Sequence, residues 1–150
     1  GKGLCSALEI PLISVNSLDI MIEEMRPIVT DISYIAPMID ARRMEVYMKL
    51  IDKKGSELKD TRAVILTPDL FDNYIEYPIL LVGDGARKGE GFIDHPHLKI
   101  APDIYPRAQC MGILAFQKFK KGSFENLQDF EPNYLKEFHT IPSKNPLGNL

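Results

Sequence analysis

IDARRMEVYMKLIDKKG, Ile39 to Gly55, is the stretch that decides between a helical and a sheet-based reading. From Met44 to Ile51 the chain alternates: Met44, Val46, Met48 and Leu50 fall on one face, Glu45, Tyr47 and Lys49 on the other. A period of two belongs to a strand, because successive side chains of an extended chain point to opposite faces. Asp52-Lys53-Lys54-Gly55 follows as a hairpin turn, and Asp40-Ala41-Arg42-Arg43 turns the chain at the other end. Upstream, Ile32 to Ile39 is almost wholly apolar, which predicts a central strand. Downstream, a third strand is expected within Ser56 to Leu66.

Helices and further strands flank this hairpin pair. Lys2 to Glu9 reads as a helix that Pro11 stops, and Leu12 to Val15 as a short buried strand. Asn16 or Ser17 caps a helix to about Met25, in which Leu18, Met21, Ile22 and Met25 recur at helical spacing until Pro27 ends it. Thr67-Pro68-Asp69 has the makeup of a helix start, with a capping hydroxyl, a first-turn proline and an acid; the helix ends before Pro78. Ile79 to Val82 is a fully buried strand closed by Gly83-Asp84-Gly85, and Leu98 to Ile100 a further strand after a loop rich in Gly, Pro and His. Pro106 opens the last long helix, which runs to about Lys121 and stops at Gly122. Its centre, Cys110 to Phe116, is apolar nearly all round and predicts burial between layers. Beyond Gly122 the chain reads as loop, with one short extended piece at Asn133 to Leu135. The order β-β-β-α-β-α-β-α defines an α/β domain on a mixed sheet flanked by helices.

With 150 residues, 45% of them hydrophobic and 26% charged, the chain has the balance of a globular domain with a real core. No apolar run approaches the roughly 20 residues of a membrane span, and the start Gly1-Lys2-Gly3-Leu4-Cys5 lacks a secretory h-region, so the expected compartment is cytoplasmic. Cys5 and Cys110 are expected as buried, reduced thiols. A net charge of -3 argues against a dedicated nucleic-acid binder. The basic group Lys118, Lys120 and Lys121 falls at a helix end, where cations favour the macrodipole.

Candidate chemistry is sparse. His95-Pro96-His97 lacks a third metal ligand nearby, His139 has no evident partner, and neither HExxH nor HxxxH occurs. No Ser/His/Asp or Cys/His set stands out, so no catalytic residue and no metal site is assigned. The turn Asp40 to Arg43 admits two readings. Asp40 caps it while the arginines pair with Glu45 or Asp52, or Asp40, Arg42, Arg43 and Glu45 face a partner or a phosphate, for which guanidinium is well suited. Gly83, Asp84 and Gly85, at the carboxyl end of a buried strand, are either a plain turn or the nucleotide side of a site.

Four blocks in order resemble the TsaB (YeaZ) family: GKGLCSALEIPLISVNSL at residues 1–18, IDARRMEVYMKL at 39–50, VGDGA at 82–86, and EPNYLK at 131–136. The resemblance implies a ribonuclease-H-like unit of the actin-like ATPase kind, the second lobe of a two-lobed protein. Residues 1–28 are then the remnant of an N-terminal lobe, 29–138 the C-terminal lobe and 139–150 a tail. It also implies a non-catalytic subunit that binds and stabilises the catalytic TsaD protein and works with TsaE in forming threonylcarbamoyladenosine on tRNA. ATP belongs to that complex by resemblance, tRNA is met only indirectly, and a homodimer is possible. In actin-like ATPases the turn at Asp40 is a phosphate loop of the form Asp-x-Gly. Here Arg42 occupies the glycine position, which argues against a close backbone cradle. Met44 likewise replaces a glycine often found in the family, and its bulk argues against a positive φ there. The alternatives are an actin-fold ATP-binding enzyme or kinase and, more remotely, a glycoprotease-like peptidase.

Overall fold

The computed structural model describes residues 1–27 and 30–135. The Asp40 turn separates β1, Tyr34–Asp40, from β2, Glu45–Asp52, and the second turn leads into β3, Glu57–Ile65. These three strands pair antiparallel in sequence order. β4, Ile79–Val82, then pairs parallel with β1, and β5, Leu98–Ala101, parallel with β4. The result is one five-stranded mixed sheet of order β3-β2-β1-β4-β5. β1 is central, as its apolar run predicts, although pairing begins at Tyr34 and not at Ile32.

Both faces of the sheet are covered. On one face α2, Ser17–Met25, lays Leu18, Met21, Ile22 and Met25 against Ile35, Ile51, Leu80 and Val82. Asn16 caps α2, its side chain accepting from the Leu18 N–H at 2.8 Å. On the other face Met38, Met48, Leu50 and Leu81 meet Phe71, Ala86 and Ile93 from the connecting segments. α1, Lys2–Ala7, lies near the start, with Cys5 buried; Cys110 is half-buried, and both thiols are free.

Several sequence expectations are corrected. Leu12 to Val15 is not a strand; Leu12 makes a single bridge to Glu125. Thr67 to Tyr77 is a series of tight three-residue turns with a 3-10 turn at Asp72–Tyr74, not an α-helix. The hydroxyl expected to cap that helix is spent on Asp69, whose carboxyl it holds below the usual carboxylate range. Phe71 is driven into the core, and Tyr74 packs edge-on against Tyr34 at 5.0 Å. The VGDGA segment leads into a 3-10 run, Asp84–Gly89, in the stretch read as turn and loop. The last helix, α3, Ala108–Lys120, begins two residues later than predicted and buries none of its residues. It contacts α2 on one side, while Met111, Ile113, Phe116 and Phe119 are exposed. Burial of an all-round apolar helix needs a second layer, which the described residues do not supply. Asn133 to Leu135 is not a strand, and the expected tail with His139 lies outside the described residues.

Lys49, on the polar face of the β2 pattern, is buried because α2 covers that face. Its ammonium lies 2.5 Å from Asp19 of α2 and 3.0 Å from Glu57 of β3. Burial favours the neutral amine, but hydrogen bonds and charge from Asp19 and Glu57 outweigh it, and its pKa lies above the ordinary lysine value. This contribution is fully present below the unfolded lysine pKa and is lost as pH rises through the higher folded value. Both carboxylates are 43% exposed and rehydrate easily. Lys49→Met is therefore expected to cost about 1–3 kcal/mol, less than a fully buried pair, in urea unfolding near neutral pH. The gap between parent and variant should shrink above about pH 10.5, and a gap unchanged up to about pH 12 would show that Lys49 is not the charged partner described.

Candidate functional site

β1 and β4 lie side by side and parallel, so the turn after each leaves the same end of the sheet. Ligands of open α/β sheets gather at such carboxyl ends. The structure thus brings together the two candidate segments of the sequence. The Asp40 N–H donates to Asp84 Oδ1 at 3.1 Å. Asp40 Oδ1 accepts from the Arg42 N–H at 2.6 Å and from Lys88 Nζ at 2.6 Å. Lys88 Nζ also donates to the Glu45 carbonyl at 2.9 Å. The hydrogen bond from Lys88, the Arg42 N–H and the ammonium charge hold the Asp40 carboxyl below the usual carboxylate range.

Of the two readings of this turn, the capping role of Asp40 is observed. The arginine pairs are not: among the described residues the ion pair at the turn is Lys88–Asp40. Arg42 and Arg43 are exposed and adopt φ of 69° and 46°. Such left-handed backbone costs an L-residue roughly 1–2 kcal/mol. Arg42 therefore carries a guanidinium on the backbone conformation that a glycine would take, and Met44 is not among the positive-φ residues.

The turn is a poor phosphate cradle. Four N–H groups in and beside it are engaged internally: Asp40 to Asp84, Arg42 to the Asp40 side chain, Ala41 to the Glu45 carbonyl at 3.1 Å, and Glu45 to the Arg42 carbonyl at 3.2 Å. A carboxylate also stands at its centre. These residues do not fit the phosphate-binding role of an actin-like loop, in which free N–H groups face the anion.

Packing explains the glycines of the second turn. Gly83 has φ of 101°, and a Cβ there would lie 2.1 Å from Met21 Cε and 2.5 Å from the Met38 carbonyl oxygen. At Gly85 a Cβ would meet Met38 and the Ile39 backbone at 3.0 Å. Asp84 supplies the polar link to Asp40. Lys88, which joins the two turns, was missed by sequence reasoning. The signal available was a lysine at the end of a glycine-rich turn opposite an unpaired acid, which has no meaning until β1 and β4 are known to be neighbours.

His95 is buried, with Nε2 3.2 Å from the Tyr74 carbonyl and Nδ1 accepting from the His97 N–H at 3.2 Å. Both ring nitrogens thus serve the loop. Among the described residues no three His, Cys, Asp or Glu gather where a metal ion could be held.

Residues 1–73 match the family model of TsaD, tRNA N6-adenosine threonylcarbamoyltransferase. No curated protein matches the chain. Among solved structures, an uncharacterized protein with similarity to peptidase YEAZ from Pseudomonas aeruginosa superposes with a TM-score of 0.66 at 22% identity, over 90% of this chain and 63% of that one. YeaZ from Pseudomonas aeruginosa superposes at 0.62, again at 22% identity, over 85% of this chain and 61% of that one. The fold is that of YeaZ. The chain spans about three-fifths of the length of these YeaZ structures. The TsaD match takes in the Asp40 turn, and the YeaZ fold supplies the mixed α/β sheet that the strand order predicted.

Two outcomes follow from the site geometry. Lys88→Met should raise the Asp40 carboxyl towards the ordinary carboxylate pKa, read by carbon NMR titration; an unmoved Asp40 would remove Lys88 as the cause. Gly83→Ala should destabilise by about 2–4 kcal/mol in denaturant unfolding, since strain and overlap act together.

Proposed function

We propose that this chain is a non-catalytic partner subunit in the formation of N6-threonylcarbamoyladenosine on tRNA, and that it binds and stabilises the catalytic TsaD protein. The observation that carries this reading is the Asp40 turn. By resemblance it takes the place of the phosphate loop of an actin-like ATPase, yet four of its N–H groups are bound within the protein and it presents two exposed guanidiniums. Such a turn suits recognition of an acidic partner surface by side chains. The match of residues 1–73 to the TsaD family and the YeaZ fold support the setting in tRNA modification. TsaE and ATP belong to the proposed complex, and contact with tRNA is indirect.

The matched family bears the name of the transferase itself, and one matched structure is described by similarity to a peptidase. A transferase reading asks for the HxxxH metal pattern, which these 150 residues lack. An ATP-binding enzyme asks for a free phosphate cradle, whereas most of this turn's N–H groups are already bound and the Asp40 carboxylate stands among them.

Reconstitution tests the proposal. Protein added to TsaD, TsaE, ATP and the other substrates should restore threonylcarbamoyladenosine on tRNA, and no stimulation over the mixture without it would sink the reading. Arg42→Gly and Arg43→Asn keep residues that tolerate left-handed backbone while removing the charge. Each should remain within about 1 kcal/mol of the parent in stability, and together they should weaken TsaD binding roughly tenfold or more. Binding and stimulation unchanged in the double variant would remove the turn from the interface.

A further inference from the structure

A second feature lies on the α2 face of the sheet, near the end of β1, and shares none of the candidate-site residues. It is a cavity of about 380 Å³, a size typical of small-molecule sites. Its floor is the cross-strand pair Ile39 and Tyr47, with Thr61 beyond. One wall is Ser14 to Leu18, the other Phe130, Glu131 and Asn133.

The walls are held in place before any ligand arrives. Asn16 caps α2 through its oxygen and donates through Nδ2 to Thr61 Oγ1 at 3.1 Å. With that oxygen accepting, the Thr61 hydroxyl hydrogen is left to donate elsewhere. The opposite wall is anchored by Lys2, which donates to the carbonyls of Gln128 at 3.2 Å and Phe130 at 2.9 Å. Ser14 Oγ donates to Glu125 at 2.5 Å, and Lys118 Nζ donates to the Ser14 carbonyl at 2.8 Å. These bonds tie one wall to Glu125 and α3 and the other to α1.

The lining selects a chemistry. Tyr47 and Phe130, both half-buried, offer aromatic surface, and Ile39, Leu18 and Leu135 add apolar surface. Thr61, Asn133 and the Tyr47 hydroxyl offer neutral hydrogen-bonding groups, and Glu131 offers an acceptor. Among the described lining residues Glu131 is the sole charge. A phosphate brought here would lose water and meet a carboxylate, while the ammoniums beside the walls, Lys2 and Lys118, are bound to backbone carbonyls and are not among the described lining residues. We infer that this cavity binds a small, uncharged heteroaromatic molecule bearing hydroxyl or amino donors.

The test compares adenosine with AMP by calorimetry on the intact protein, since the two share ring and sugar and differ by a phosphate. Adenosine should bind saturably and AMP roughly tenfold more weakly. Phe130→Leu and Tyr47→Phe should each weaken adenosine at least about fivefold with thermal unfolding unchanged, and Glu131→Lys should narrow or reverse the preference over AMP. Absence of saturable adenosine binding, equal or tighter AMP binding by the parent, or variants that bind as the parent does would each overturn the assignment. The partner role would stand untouched by such a failure, because Arg42 and Arg43 are not in the cavity lining.

Discussion

Lys88 answers two acceptors with one ammonium, the Asp40 carboxylate and the Glu45 carbonyl, and so ties the turn after β4 to the turn after β1. The contact requires the parallel pairing of β1 with β4, which sets both turns at one end of the sheet. It also requires the tight 3-10 run from Asp84 to Gly89, which carries Lys88 back over the β1 end. Gly85 and Gly89 allow that run to lie close: a Cβ at Gly89 would come 2.9 Å from Leu81 Cδ1. With Asp40 45% exposed, the pair's energy is modest, about 1 kcal/mol. Its main effect is geometric, because it fixes where the Asp40 carboxylate points and therefore which N–H groups that carboxylate consumes.

The same economy governs the opposite face of the sheet. α2 covers the polar side of β2 and would bury Lys49 at a cost; Asp19 from the helix and Glu57 from β3 offset it. The ion triad thereby records the register of α2 on the sheet, since a helix rotated by one residue would carry Asp19 away. Asn16 adds a second registration point by bonding both its own helix and Thr61.

What was legible in the sequence follows from how local each signal is. β2 was read from alternation, its turn from Asp52 and Gly55, and β3 as the strand that must follow that turn; Asp52 does organise the turn, accepting from Lys54 and Ser56 at 2.8 Å. β4 was read residue for residue, because Ile79 to Val82 is buried on both faces. α2 was read from its spacing and its cap. Errors arose where partners decide. Thr67 was read as a cap but bonds Asp69. α3 was read as buried because its composition says apolar, while its surroundings provide contact on one side only. The burial of Lys49 and the role of Lys88 have no local signature, since Asp19 and Asp40, which help explain them, lie 30 and 48 residues away.

The two positive-φ features at the candidate site have different physical standing. At Gly83 the fold demands glycine, because Met21 and the Met38 carbonyl occupy the space of any Cβ. At Arg42 and Arg43 the fold demands only the backbone conformation, which glycine would adopt with less strain. Neither folding nor an internal ion pair among the described residues accounts for guanidiniums there. A backbone cradle would need glycine and free N–H groups; here arginines stand at the left-handed positions, and four of the N–H groups are already bound. An opposing anion must then be met by side chains reaching outward, a geometry that suits the broad surface of another protein better than a phosphate drawn in against the chain.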